Sequence, residues 1–525
     1  MADNKMTPEQ LHLVKRNNIF KGTMILALAG FITRAIGFFY KIFLSNTMGA
    51  ELLGIYQLIF PVYGIAFTVY ATGIQTSLSR LVAAELGKRN DKNIFRILRI
   101  GLLLSVSLAF IMSILVYFGS DYIALRFLLE ERSAKSLRIM AFVFPFCGIT
   151  SCINGYYYGL KKTAIPASTQ LLEQAVRVIA VYGIALWAGN GELSVTCELA
   201  VVGIVFGEIA SCLYNVLSLF FPKSPDKFLV LEPDPNAKMS SKKQITKEIL
   251  HVSVPLSANR LLINILHSIE TVLIPTMLRR FGLTTSEALS TYGILNGMSM
   301  PFIMFPTALI NALAVLLLPT VSEAQALNNE RLIGKTTAVA IKYSIIIGII
   351  STGIFIIFGK DLGTSVFHSE EAGTFLMILA WLCPLIYLTT TLGSIINGLG
   401  KAHITFLNSI IGSLSKILLI VFLIPSRGIS GYLIALLFGQ LIITSLDCIA
   451  VGRYVRFPFD AVNNIVKPGM IAAFSGFLLK ESYEYIKKMT QTSEVVLILT
   501  FCLLFCAICI GLLVITHAIS KEDIK

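Results

Sequence analysis

Arg34, Lys41, Arg177, Arg260, Glu270 and Lys416 are charged side chains set within long apolar stretches. A cation at the centre of a bilayer costs at least about 2.5–3.5 kcal/mol, so residues of this kind pair with one another or line a hydrated cavity. Their neighbours are polar at helical spacing. Gly30, Arg34, Gly37 and Lys41 step by four, three and four and share one helix face. Ser253, Ser257, Arg260, Asn264, His267 and Thr271 form a second stripe, with Glu270 at its edge. Gln170, Gln174 and Arg177 form a third, Ser409, Ser413 and Lys416 a fourth, and Thr68, Thr72, Gln75 and Ser79 a fifth. A cavity lined by Arg34, Lys41, Gln75, Arg177, Arg260, Asn264, His267, Glu270 and Lys416 would suit an anionic group such as phosphate or pyrophosphate. Simpler roles stay open for several of them. Glu173 and Arg177 stand at i, i+4 and can neutralise each other. Lys41 can snorkel from a helix end, His267 can be a packed histidine, and Ser or Thr hydroxyls can bond their own helix.

Bond-breaking chemistry has no comparable footing. The loops hold no cluster of Asp, Glu and His and no Walker motif, so an enzyme is not expected. Nine cysteines lie in or beside apolar segments and read as small packed hydrophobes. Cys506 and Cys509 have CxxC spacing without nearby His partners, and neither a disulfide framework nor a metal site is expected.

The elements that position these residues are membrane helices. The 525 residues are 55% hydrophobic and only 14% charged, and apolar stretches of membrane-crossing length recur from end to end. About fourteen such segments are read, from 20–44 and 53–79 through 167–188 and 291–320 to 495–516. The fold class expected is an all-α integral membrane protein; a barrel would show short alternating segments. Residues 1–18 are polar, and the first apolar segment reads as an uncleaved helix. The net charge of +13 is spread over many separate loops, which excludes a nucleic-acid surface and favours contact with anionic lipid headgroups. Lys and Arg concentrate in alternate connections, so a multi-pass topology with both termini cytoplasmic is expected.

The chain also repeats itself. Ala141/Ala380, Pro145/Pro384, Thr150/Thr389, Gly159/Gly398, Leu160/Leu399, Lys162/Lys401 and Arg177/Lys416 all recur at an offset of 239. Glu85 and Asn90 are matched to Glu323 and Asn328 at 238, and Phe206-Gly207-Glu208 to Phe438-Gly439-Gln440 at 232. A turn-rich stretch with four prolines separates the halves. The division expected is a tail 1–18, a six-helix lobe 19–221, a linker 222–246, a second six-helix lobe 247–450, two more helices in 451–516 and a tail 517–525. An even number of helices per unit makes the repeats parallel.

The runs KGTMILALAGFITRAIGFFYKIFLSNTMGAELLGIYQLIFPVYG (21–64), YGILNGMSMPFIMFPTALINALAVLLLPTVSEA (292–324) and SIINGLGKAH (394–403) resemble the stage V sporulation protein B-like, polysaccharide-export family. That family sits in the multidrug/oligosaccharidyl-lipid/polysaccharide exporter superfamily. The resemblance implies a V-shaped, MATE- and MurJ-like pair of six-helix lobes with two extra C-terminal helices. It implies a bacterial cytoplasmic membrane protein that flips an undecaprenyl-pyrophosphate-linked saccharide from inner to outer leaflet by alternating access, acting as a monomer. A peptidoglycan, spore-cortex or polysaccharide precursor is the implied cargo. No cofactor is implied beyond a coupling ion, Na⁺ or H⁺, or the membrane potential. The alternative is a cation-coupled multidrug exporter of the MATE class. MurJ lipid II flippases carry an SRxxGxxRD-like signature; here Arg34 and Gly37 match it, while Tyr40 and Lys41 replace its second Arg and its Asp.

Overall fold

The computed structural model describes residues 8–88, 90–188, 193–220, 240–489 and 493–518, with the side chains of 8–23, 91 and 188 left aside. Residues 1–7 of the N-terminal tail, 222–239 of the expected linker and 519–525 of the C-terminal tail lie outside the described residues.

Among the described residues the secondary structure is helical throughout. In order the helices are α1 (Pro8–Phe67), α2 (Gly73–Gly87), α3 (Asp91–Tyr122), α4 (Ser133–Ala141), α5 (Val143–Gly159), α6 (Ala164–Ala188), α7 (Cys197–Phe220), α8 (Lys242–Phe281) and α9 (Thr285–Gly293). They continue as α10 (Met300–Met304), α11 (Thr307–Ala326), α12 (Glu330–Phe367), α13 (Glu370–Leu379), α14 (Leu382–Gly398), α15 (Ala402–Arg427), α16 (Ile429–Tyr454), α17 (Lys467–Met489) and α18 (Glu494–Ile515). Helices satisfy their own backbone groups, which is what a bilayer demands. Large apolar side chains such as Leu103, Phe110, Ile114 and Phe118 of α3 stand exposed, as suits a lipid-facing surface.

Ten helical stretches are long and apolar enough to cross a membrane, or twelve if the bent pairs α4–α5 and α13–α14 each count as one span, among the described residues. The sequence count of about fourteen separates 20–44 from 53–79, which here form one continuous stretch, Met24–Gly87. It also includes α6, whose Glu173 and Arg177 lower its apolar character. Within α1 the chain turns at Gly49, where φ is +78° and ψ 169°, a conformation that glycine adopts without strain. The segment expected at 291–320 is not one helix. A π-helical turn at Ile294–Ser299 and a break at Phe305–Pro306 divide it. Prolines cause such breaks because each lacks an N–H and clashes with the preceding turn.

The bends of 44° between α4 and α5 and 51° between α13 and α14 have one cause. Pro145 and Pro384 cannot donate to the carbonyls four residues back, Ala141 and Ala380. A hydroxyl takes each vacant place: Ser113 Oγ donates to Ala141 O at 2.6 Å, and Thr352 Oγ1 to Ala380 O at 2.9 Å. Ser113 and Thr352 are themselves 239 residues apart, so the repeat preserves a hydrogen bond as well as a residue pattern. The turns after α5 and α14 agree bond for bond. Leu160, Lys161 and Lys162 N–H donate to Tyr156, Tyr158 and Tyr157 O; Leu399, Gly400 and Lys401 N–H donate to Ile395, Asn397 and Ile396 O. Lys161 (φ +60°) and Gly400 (φ +74°) share the left-handed position.

Packing follows the same offset. A Cβ on Gly159 would lie 2.7 Å from Val82 Cβ and 2.8 Å from the Ser79 carbonyl; on Gly398 it would lie 2.9 Å from Val321 Cβ and 3.1 Å from the Leu318 carbonyl. One match needs correction. Asn90 caps α3 by accepting from Asn93 N–H, and Asn329 caps α12 by accepting from Leu332 N–H. Asn329, at 239, is therefore the counterpart of Asn90, not Asn328 at 238; adjacent asparagines disguise the register in the sequence.

Contacts gather the chain into two units: 1–37 with 58–268, and 38–57 with 269–525. The boundaries fall inside α1 and α8. In the first unit, Gly73 of α2 lets the backbone at Ser253 and the Ser257 hydroxyl come close. In the second, Gly54 and Gly293 allow the α1 backbone to lie against α9, and Asn46 Nδ2 donates to Val366 O at 2.9 Å. Helices α17 and α18 pack on α12 in this unit through Phe358, Tyr483 and Phe501. Lys487 fastens them, 2.8 Å from Asp361 and 3.4 Å from Glu494.

Candidate functional site

Arg34, Gln75, Arg177, Arg260, Asn264 and His267 belong to the first unit; Lys41, Glu270 and Lys416 belong to the second. In the first unit Arg34, Arg260 and His267 are exposed and Gln75 is half-buried. Gly155 allows the Gln75 backbone to press closely against α5. Glu173 and Arg177 form the ion pair that their spacing allows, and Gly207 of α7 packs against both. Asn264 gives its amide to the Gly64 carbonyl at 3.1 Å and to Thr68 Oγ1 at 2.7 Å. Ser257 donates to Thr68 O at 3.2 Å. Much of the polar stripe on α8 is therefore engaged in helix packing, with Arg260 and His267 left on its exposed side.

In the second unit, Lys416 Nζ lies 2.7 Å from Glu270 Oε2, with the lysine side chain 20% and the glutamate 7% exposed. The buried Tyr432 hydroxyl lies beside the same carboxylate. Of the nine candidate cavity residues, Glu270 and Lys416 are joined directly as an ion pair. Position 412, the counterpart of Glu173, is glycine, and Ile443 packs where a side chain would stand. Both repeats thus neutralise the equivalent cation, Arg177 from one turn back in the same helix and Lys416 from α8. Lys41 is half-buried, and no carboxylate among the described residues lies within ion-pair distance of it or of Arg260.

The sequence stripes miss a second buried group. Glu208 of α7 is 6% exposed, and Ser211 Oγ approaches one of its carboxylate oxygens at 3.4 Å. Tyr63, Tyr70 and Cys147 lie around it, with Tyr63 Oη 3.4 Å from Cys147 Sγ. The signal for it was the Gly-Glu and Gly-Gln match between α7 and α16. No group of three or more His, Cys, Asp or Glu side chains able to hold a metal occurs among the described residues.

By its family matches and its fold likeness the chain is a transporter of the multidrug/oligosaccharidyl-lipid/polysaccharide exporter superfamily, with the fold of MATE and MurJ proteins. The chain is similar to a solved structure described as lipid II flippase MurJ in an inward closed conformation, with TM-score 0.65 and 14% identity over 92% of this chain and 98% of that one. It is similar also to an inward-facing multidrug resistance MATE family transporter, with TM-score 0.62 and 16% identity over 80% and 94%. Residues 19–325 match the polysaccharide biosynthesis protein family, and 261–422 match MatE. The chain belongs to the polysaccharide biosynthesis protein family, a family of transporters rather than enzymes. Stage V sporulation protein B of Bacillus subtilis (strain 168) is 26% identical over 521 residues, covering 97% of this chain and 98% of that protein.

Proposed function

We propose that this transporter flips an undecaprenyl-pyrophosphate-linked saccharide between leaflets by alternating access. The observation that carries the reading is the set of cations within the membrane helices. Glu173 and Glu270 pair with Arg177 and Lys416, Arg34 and Arg260 are exposed, and neither Arg260 nor Lys41 has a carboxylate within ion-pair distance among the described residues. A surplus of cations in a membrane protein suits a polyanionic headgroup. In this reading Arg34 and Arg260 bind the pyrophosphate of the headgroup, and the polyprenyl tail stays in lipid. The positive-inside bias puts both termini in the cytoplasm of a bacterial cell and makes the flip outward. Likeness to stage V sporulation protein B and to a lipid II flippase supports a cell-wall or spore-cortex precursor as cargo. A MATE-like drug exporter would need free carboxylates for cationic cargo, and Glu173 and Glu270 are already paired. The test is charge reversal in cells that depend on this protein. Arg34→Glu and Arg260→Glu should each cut the outer-leaflet precursor; unchanged precursor levels in both would sink the basic-site reading.

A further inference from the structure

The internal repeat provides a control for each polar group, and at one position an amide of the first unit is a carboxylate in the second. In the first unit Thr169 Oγ1 donates to Asn215 Oδ1 at 3.0 Å, and Asn215 Nδ2 donates to Asn154 Oδ1 at 3.4 Å. This is a neutral chain of hydrogen bonds joining α5, α6 and α7. The equivalent residues in the second unit are Asn408, Asp447 and Gly393, at the offsets of 239, 232 and 239 that align those helices. Asn408 Nδ2 donates to Asp447 Oδ1 at 2.8 Å. The amide that partners Asn215 has no counterpart, because Gly393 has no side chain; a Cβ there would meet only Thr405 Cγ2, at 3.5 Å.

The other carboxylate oxygen, Asp447 Oδ2, is buried without a hydrogen-bond partner among the described residues, in a residue 1% exposed. It stands about 10 Å inside the end of α16, counting 1.5 Å per residue. An ionised carboxylate so placed is strongly disfavoured unless a cation or further donors meet it. Ionisable groups on the surrounding helices include Cys448 and Arg453 on α16, Lys401, His403 and Lys416 at or on α15, Tyr387 on α14, Glu371 on α13 and Lys342 on α12. Lys401 sits over the Tyr454 ring, 4.1 Å from its centroid, and among the described residues no cation pairs with Asp447. A metal ion needs a shell of several oxygens, whereas a proton needs one lone pair.

We propose that Asp447 is a proton-binding carboxyl, held as the neutral acid in this conformation, which gives the second repeat unit an ionisable site that the first lacks. In a transporter such a group is a place for a proton gradient to act.

The test is infrared spectroscopy on the purified full-length chain at neutral pH in sodium-free buffer, compared with Asp447→Asn, which installs the residue found in the first unit. Wild type should show a deuterium-sensitive carboxylic-acid C=O band that vanishes in Asp447→Asn and in Asp447→Asn/Gly393→Asn, with sodium chloride leaving it unchanged. If Asp447→Asn does not yield folded protein, Asp447→Glu should shift the same band. Loss of a carboxylate band in place of the acid band, or disappearance of the acid band on adding sodium, would overturn the assignment. The readout is independent of cargo, so it can fail while the flippase reading stands, and the reverse.

Discussion

The pairing of Lys416 with Glu270 reshapes the chemistry at the level of single residues. Removing one member of a buried ion pair strands the other, at a cost of about 3–5 kcal/mol, whereas replacing both is far better tolerated. Lys416→Met should therefore lower thermal stability in detergent more than Lys416→Met/Glu270→Leu does. An additive double mutant would mean that the two side chains do not interact. Arg177 and Glu173 were legible as a pair, since their spacing lies within one helix. Lys416 and Glu270 were not, because α8 and α15 are far apart in sequence and no local period joins them. Asn264 escaped for a related reason: an amide on a polar stripe looks the same whether it faces cargo or a neighbouring carbonyl. Its bonds to Gly64 and Thr68 appear only when α8 is packed.

Element by element, the repeat was the most readable feature, and its contacts turn it into energetics. The hydroxyls of Ser113 and Thr352 each cover a carbonyl exposed by a proline. Ser113→Ala should cost about 1–3 kcal/mol, the penalty of leaving a buried acceptor unmet, and Thr352→Ala less, because the Ala380 carbonyl also accepts from Cys383 N–H at 3.1 Å. Calorimetry or denaturant titration should find the larger loss at Ser113; a null effect in both would show that the bends do not need these bonds. Gly159→Leu and Gly398→Leu probe the same equivalence through packing, because side chains there meet Val82 and Val321. Each should destabilise by about 1–3 kcal/mol or more, and a difference in sign between the two would break the equivalence. Apolar length located helices but not their interruptions. The segment 291–320 read as one span because hydropathy averages across Pro301 and Pro306, and the slip at Asn328 arose because Asn329 stands next to it.

The whole molecule is a duplicated transporter in which symmetry supplies the framework, and the proposed binding residues are departures from that symmetry. Shared positions include the prolines, glycines and caps that set bends and close contacts, together with the cation pair Arg177 and Lys416. The unshared ones are charged or polar: Arg34 and Arg260 lie outside the best-matched segment, and Asp447 replaces an amide. That division explains why architecture was easier to read than cargo. The family match over residues 19–325 fixes the family, while the proposed cargo rests on a few side chains. The most direct test is flipping of a fluorescent undecaprenyl-pyrophosphate-linked saccharide in proteoliposomes of the purified chain, read with a membrane-impermeant quencher. Wild type should expose the headgroup faster than empty liposomes. Arg34→Glu/Arg260→Glu should slow it by about 10- to 100-fold, as loss of charge-assisted contacts worth about 1.5–3 kcal/mol requires. Wild-type flipping no faster than in empty liposomes, or full speed after charge reversal, would contradict the account.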